Sequence, residues 1–205
     1  MNGNDAYPDA WNMLEARARY FERNGFGEGG GYDEPYVDFK LGPLAFRFPN
    51  TEGRLRAVRY HDLHHVVTGY QTDARGEFEI SAWEIGAGCK GFFAAWVLNL
   101  GGFAGGVFSI PRRTWRAFVR GRRSRTLYGE ELATLLAENV GQVRARTGVE
   151  PAESVVRMRA SDAVWFVAFA WLGLVIGLAL SVVGAVLALP LLLARGVRGT
   201  SGLKA

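Results

Sequence analysis

Apolar and charged residues alternate along the chain with changing rhythm. Up to Lys90 they interleave at helical spacing, residues 91–110 carry no charge, and residues 163–194 form an uncharged run of 32. In "PDAWNMLEARARYFERNG" the spacing places Trp11, Leu14, Ala18 and Phe21 on one face of a helix over 8–24, opened by Pro8 and Asp9 and closed by Gly25. The glycine-rich, acidic stretch 25–38 reads as a loop, and "FPNTEG" as a turn into a second helix running from about Thr51 to Gly69. "QTDARGE" starts a third, capped by Thr72 or Asp73 and reaching about Ile85. Residues 91–110 fit a buried core helix or a membrane-dipping one, and a last soluble helix spans 129–146, before "TGVEPAES". No strict alternation long enough for a strand is apparent. The pattern predicts an all-α helical bundle over residues 1–155 and a membrane segment over 156–205.

The run of 32 exceeds what a bilayer needs: at helical rise it spans ~48 Å against a hydrocarbon core of ~30 Å. One tilted helix broken near Pro190 fits, with a tight hairpin as the alternative. Gly173, Gly177, Ser181 and Ala185 recur every four residues, a stripe suited to a homodimer.

Charge sharpens the picture. The net charge of +4 conceals a stretch, 111–125, with seven arginines and no acid. Arg112, Arg113, Arg116, Arg120, Arg122 and Arg123, interleaved with Trp115, Phe118 and Val119, are expected to contact anionic lipid. A membrane anchor beside them disfavours nucleic acid as the partner. Arginines flank both ends of the long apolar run, so the basic stretch decides the expected topology, with the core on the cytoplasmic side of a bacterial inner membrane. The single cysteine, Cys89, cannot form an intrachain disulfide, and the N-terminus has neither a secretory nor an organellar pattern.

The chemistry gathers at "HDLHHVVTGYQTDARGEFE". All three histidines, His61, His64 and His65, lie within five positions. His61 and His65 are four apart, nearly one helical turn, and can grip one cation. Asp62 either completes that grip or orients an imidazole. Glu77 supplies an oxygen if the second and third helices pack antiparallel. His64 faces another way, toward the pocket mouth, and Glu84, seven residues after Glu77, is second to the ion or solvated. A zincin would need glutamate in place of Asp62, and a histidine–aspartate hydrolase another histidine upstream.

The spacing His61-Asp62-x-x-His65, eleven residues, Glu77 resembles the signature of the coenzyme Q biosynthesis protein 4 family. So does its setting "RYHDLHHVVTGYQTDARGEFEISAWE", and "RAFVRGRRSRTLYGEELATLLAENVGQVRARTGV" is similar to that family's C-terminal part. The likeness covers roughly residues 40–149. It implies an all-helical protein that holds one divalent ion, zinc or alternatively iron, through His61, Asp62, His65 and Glu77. It also implies a part in ubiquinone synthesis: replacing the ring carboxylate of a polyprenyl hydroxybenzoate by a hydroxyl, with other quinone-biosynthesis enzymes as partners. In that reading residues 91–110 line a channel for the prenyl tail. The alternative is a scaffold that presents quinone precursors and uses the metal structurally. Two departures stand out: the portion before the motif is short, and the C-terminal apolar run is one that family members usually lack.

Overall fold

The computed structural model describes residues 7–41, 44–149 and 157–200. Its elements are α1 (Met13–Asn24), β1 (Tyr36–Leu41), β2 (Leu44–Pro49), α2 (Glu52–Thr68), α3 (Ala74–Ala87), α4 (Phe93–Ser109), α5 (Pro111–Gly121), α6 (Leu132–Ala137), α7 (Val140–Thr147) and α8 (Ala160–Thr200). The fold is mostly helical.

Local chemistry sets the ends of the two central helices where the sequence places them. Thr51 caps α2, its hydroxyl accepting from the Arg54 N–H, and Gly69 closes it at φ 77°, a left-handed conformation that glycine adopts without a Cβ clash. Asp73 caps α3 by accepting from the Gly76 N–H at 2.7 Å.

Elsewhere the structure corrects the sequence. The β1–β2 hairpin stands where the sequence predicts no strand. Its antiparallel register pairs Val37 with Phe48, Phe39 with Phe46 and Asp38 with Arg47, and the short alternation V-D-F-K-L is the pattern that was overlooked. Helix α1 begins at Met13, behind an Asn12–Glu15 capping box. It buries Met13, Ala16, Tyr20 and Phe21, while Trp11 and Leu14 are exposed, because Tyr20 must face α2 to reach Asp62. The helix predicted over 129–146 is two, α6 and α7. The break exists because Met13 N–H donates to the Glu138 carbonyl and Val140 N–H to the Trp11 carbonyl, pinning the start of α1 into it.

Helix α3 is the wall between two apolar clusters. Trp83 joins Met13, Tyr20, Leu63, Leu127 and Val143 on one side, while Ala82 and Ile85 join Phe103 and Phe118 on the other. Helices α3 and α5 cross almost backbone to backbone. A Cβ on Gly121 would lie 2.1 Å from the Trp83 carbonyl oxygen, and one on Gly86 2.3 Å from that of Phe118.

Helix α8 is continuous through Pro190, neither broken nor folded back, and residues Ala160–Ala179 make one helix apolar and long enough to cross a membrane. It is not a detached anchor. Phe166 meets Phe103 and Phe118 edge-on, and a Cβ on Gly173 would lie 2.6 Å from the Leu100 carbonyl oxygen of α4. The first member of the small-residue stripe is therefore taken by a contact within the chain, not left for a second copy.

Candidate metal centre

The site stands where α2 faces α3, and its logic starts from ring nitrogens. His61 Nδ1 lies 2.8 Å from Glu84 Oε1, a buried carboxylate oxygen that only accepts. His65 Nδ1 lies 2.9 Å from the Tyr70 carbonyl oxygen, which also only accepts. Each ring must therefore carry a proton on Nδ1, so that the neutral form of each has its lone pair on Nε2. The two Nε2 atoms point at each other across 3.2 Å, and each lies 3.4 Å from an oxygen of Glu77. One ligand atom from each of His61, His65 and Glu77 falls within 4.8 Å of the others.

Three acceptors so placed repel unless a cation joins them. A proton can join only two; a metal ion satisfies all three. Ligand atoms bound at ~2.0–2.1 Å to one tetrahedral ion stand ~3.4 Å apart, close to the 3.2 Å between the two nitrogens, while His61 meets Glu77 Oε2 and His65 meets Oε1, each at 3.4 Å. His65 is buried, whereas the Glu77 side chain is 43% exposed, so the centre opens outward on the Glu77 side.

The electrostatics favour positive charge at the site, which a proton on His61 or a metal ion can supply. Burial works against charge on His61, but Glu84 and then Glu77 raise its pKa well above the ordinary histidine value. Burial also opposes the Glu77 charge, yet His61 and His65 pull its pKa down to about 2.

Glu84 is the hub behind the centre. It is fully buried. Oε1 accepts from His61 and His64, Oε2 from Asn99 Nδ2 at 2.5 Å and from the Tyr128 hydroxyl. Burial raises its pKa, but the two histidines outweigh that and hold it well below the usual carboxylate range. A carboxylate behind a ligating imidazole fixes the tautomer and makes Nε2 a stronger donor to a metal.

His64 is not at a pocket mouth. It is wholly buried, with Nδ1 donating to Glu84 at 2.8 Å and Nε2 accepting from the Leu127 N–H at 2.9 Å. Desolvation lowers its pKa and keeps it neutral. Asp62, expected with the ligands, stands outside the group of three: it is buried and accepts from Tyr20 Oη at 3.3 Å and Tyr32 Oη at 2.5 Å. The Tyr20 ring in turn stacks on His65, with centroids 5.5 Å apart.

The basic stretch also needs correction. Arg120 is buried, donates twice to the Thr68 carbonyl at 3.1 Å and lies over the Tyr70 ring, so it cannot meet lipid. Arg113 pairs with Glu79, and Arg122 and Arg123 pair with Asp162. Arg144 donates to the Val66 and Val67 carbonyls. Arg120 and Arg144 thus cap the carbonyl end of α2 one turn beyond His65, where a helix leaves carbonyls without partners. Charge alone marks these arginines as surface groups; only the fold reveals the carbonyls awaiting them.

No protein-family model, no curated protein and no solved structure matches this chain.

Proposed function

We propose that the chain holds one divalent metal through His61, His65 and Glu77 and uses it in ubiquinone synthesis, on a polyprenyl hydroxybenzoate drawn from the bacterial inner membrane. The observation that carries the metal is the pair of Nδ1–H groups tied to Glu84 and Tyr70, which turns both Nε2 lone pairs toward Glu77. The substrate rests on the resemblance of residues 59–84 to the coenzyme Q biosynthesis protein 4 signature. The ion, when bound, supplies positive charge for a substrate carboxylate or phenolate. Glu84 and Tyr70 hold the imidazoles in their binding tautomer, and Glu77 sets the open side from which substrate arrives.

A catalytic role is favoured over a scaffold by that openness. Structural zinc sites are closed by four protein ligands, whereas three gather here among the described residues, with Asp62 engaged by two tyrosine hydroxyls. Replacing a ring carboxylate by a hydroxyl releases carbon dioxide, adds an oxygen atom and withdraws two electrons, and the balance closes with dioxygen as the oxidant: one water and one dioxygen are consumed and hydrogen peroxide leaves. Either zinc or iron suits two imidazoles and a carboxylate, and iron favours the oxidative step.

The test is elemental analysis of the full chain beside His65→Ala and Glu77→Gln, followed by incubation in vesicles with a prenylated 4-hydroxybenzoate under air and under argon. One equivalent of metal, absent from both variants, with product only under air, is the expected result. Metal retained by Glu77→Gln overturns the ligand set; metal present without turnover turns the reading to the scaffold.

A further inference from the structure

Helix α4 has two apolar faces, and the core uses only one. Ala95, Asn99, Phe103 and Gly106 are buried against the bundle. On the opposite side Phe93 is 80% exposed, Leu98 55% and Phe108 72%. At ~100° per residue these three fall, with Val97 and Gly101, within a sector about 140° wide that contains no polar side chain. Soluble helices put charge on that side. An apolar face of this size left bare in water marks a contact surface.

Three observations identify what covers it. First, α8 lies along one edge of this sector, with Gly173 against Leu100 and Ala104, and its own outer residues, Trp165, Val167 and Trp171, are 48%, 54% and 65% exposed. The bare face of α4 is therefore continuous with that of a helix apolar enough to enter a bilayer. Second, α4 turns directly into α5, where Arg112 and Arg116, one turn apart, are exposed and have no acidic partner among the described residues. Third, the other arginines nearby, Arg113, Arg122 and Arg123, are committed to Glu79 and Asp162. What remains is an apolar face ending four residues before a pair of free cations, the complement of hydrocarbon bounded by anionic headgroups.

We propose that α4 is embedded beside α8 in an anionic bilayer, its Phe93–Leu98–Phe108 face in the acyl region and Arg112 and Arg116 on lipid phosphates. The membrane then touches the helix that supplies Asn99 to Glu84. This docking stands whether or not the centre holds metal.

The experiment places a thiol-reactive fluorophore at Phe108→Cys, and separately at Leu98→Cys and Leu14→Cys, in the full chain; native Cys89 is buried and does not compete. The proteins are reconstituted in vesicles of phosphatidylcholine with phosphatidylglycerol. Nitroxide carried on lipid chains should quench the labels at 108 and 98 several-fold more than aqueous iodide does, with the order reversed at 14. Adding Arg112→Glu and Arg116→Glu should reduce lipid quenching at 108 several-fold. Equal iodide quenching at 108 and 14 would put the α4 face in water and overturn the proposal. Protection from both quenchers would mean that protein, such as a second copy, covers the face, and would overturn it as well. Lipid quenching unchanged by the charge reversal would remove the headgroup contact.

Discussion

His61 Nε2 and His65 Nε2 face each other across 3.2 Å, because the Nδ1–H of each ring is turned away to donate to an acceptor of its own. The arrangement is costly without a cation and fits one well. Glu77 completes it from the first turn of the next helix.

Protons and metal therefore compete for the same lone pairs. In chelator, the raised His61 pKa contributes stability that is fully present below the ordinary histidine value of ~6.5 and is lost as pH rises through the folded value. The depressed Glu77 pKa contributes stability present above 4.5 and lost as pH falls toward about 2. Metal-free protein should be most stable between these limits, and the gain in Tm from added zinc should grow as pH rises. Thermal unfolding with zinc and with chelator, at a series of pH values, checks this. A zinc effect that is flat with pH would rule out binding through His61.

Glu84→Gln keeps the hub's shape and removes its charge. The amide oxygen still accepts from His61 but carries no charge to strengthen Nε2 as a donor, and its NH2 now faces the Asn99 and Tyr128 donors, so metal affinity should fall ~10–100-fold. Competition against a chromogenic chelator reads the change directly; unaltered affinity would reduce Glu84 to a packing residue.

His64→Ala separates the two roles of the histidine cluster. It leaves the Leu127 N–H without an acceptor, takes one donor from Glu84 and opens a cavity, a loss of about 3–5 kcal/mol. Protein that still folds should keep its metal, whereas His61→Ala should lose the metal and cost less stability. Denaturant unfolding beside elemental analysis distinguishes these outcomes.

The helix ends around the site were legible because their causes are local: Thr51, Gly69 and Asp73 act within four residues of themselves. The histidine pair was legible from spacing alone, since residues four apart share a helix face wherever the helix packs. The hub was not. Asn99 and Tyr128 reach Glu84 from 15 and 44 residues away, and nothing near them announces a partner. The partners of Asp62 are hidden for a related reason. Its place beside His61 predicts a ligand, but two tyrosines from distant segments claim the carboxylate.

Arg120 tests how far sequence charge can mislead. Arg120→Met keeps the apolar stem and leaves the Thr68 carbonyl without its two donors. A loss of about 2–3 kcal/mol is expected in denaturant unfolding. Arg112→Met, on the exposed side of the same helix, should cost under ~0.5 kcal/mol. Equal effects would contradict the buried cap.

Asp162 joins α8 to the core. Its side chain is fully buried at the start of α8, held by Arg123 at 2.5 and 3.2 Å, by Arg122 at 3.5 Å and by the Arg159 N–H at 2.8 Å. Arg122 and Arg123 follow directly on α5, which crosses α3 beside Trp83, the residue before Glu84. Asp162→Asn leaves two partly exposed guanidinium groups short of a counter-charge, and losing these charge-assisted hydrogen bonds costs about 1.5–3 kcal/mol. The expected result in nanodiscs is faster amide exchange over 157–166 and over the end of α5, with metal content unchanged. Exchange confined to α8 would mean that the anchor is fastened by its Phe166 and Gly173 packing alone, and that the ion pairs add nothing to the join.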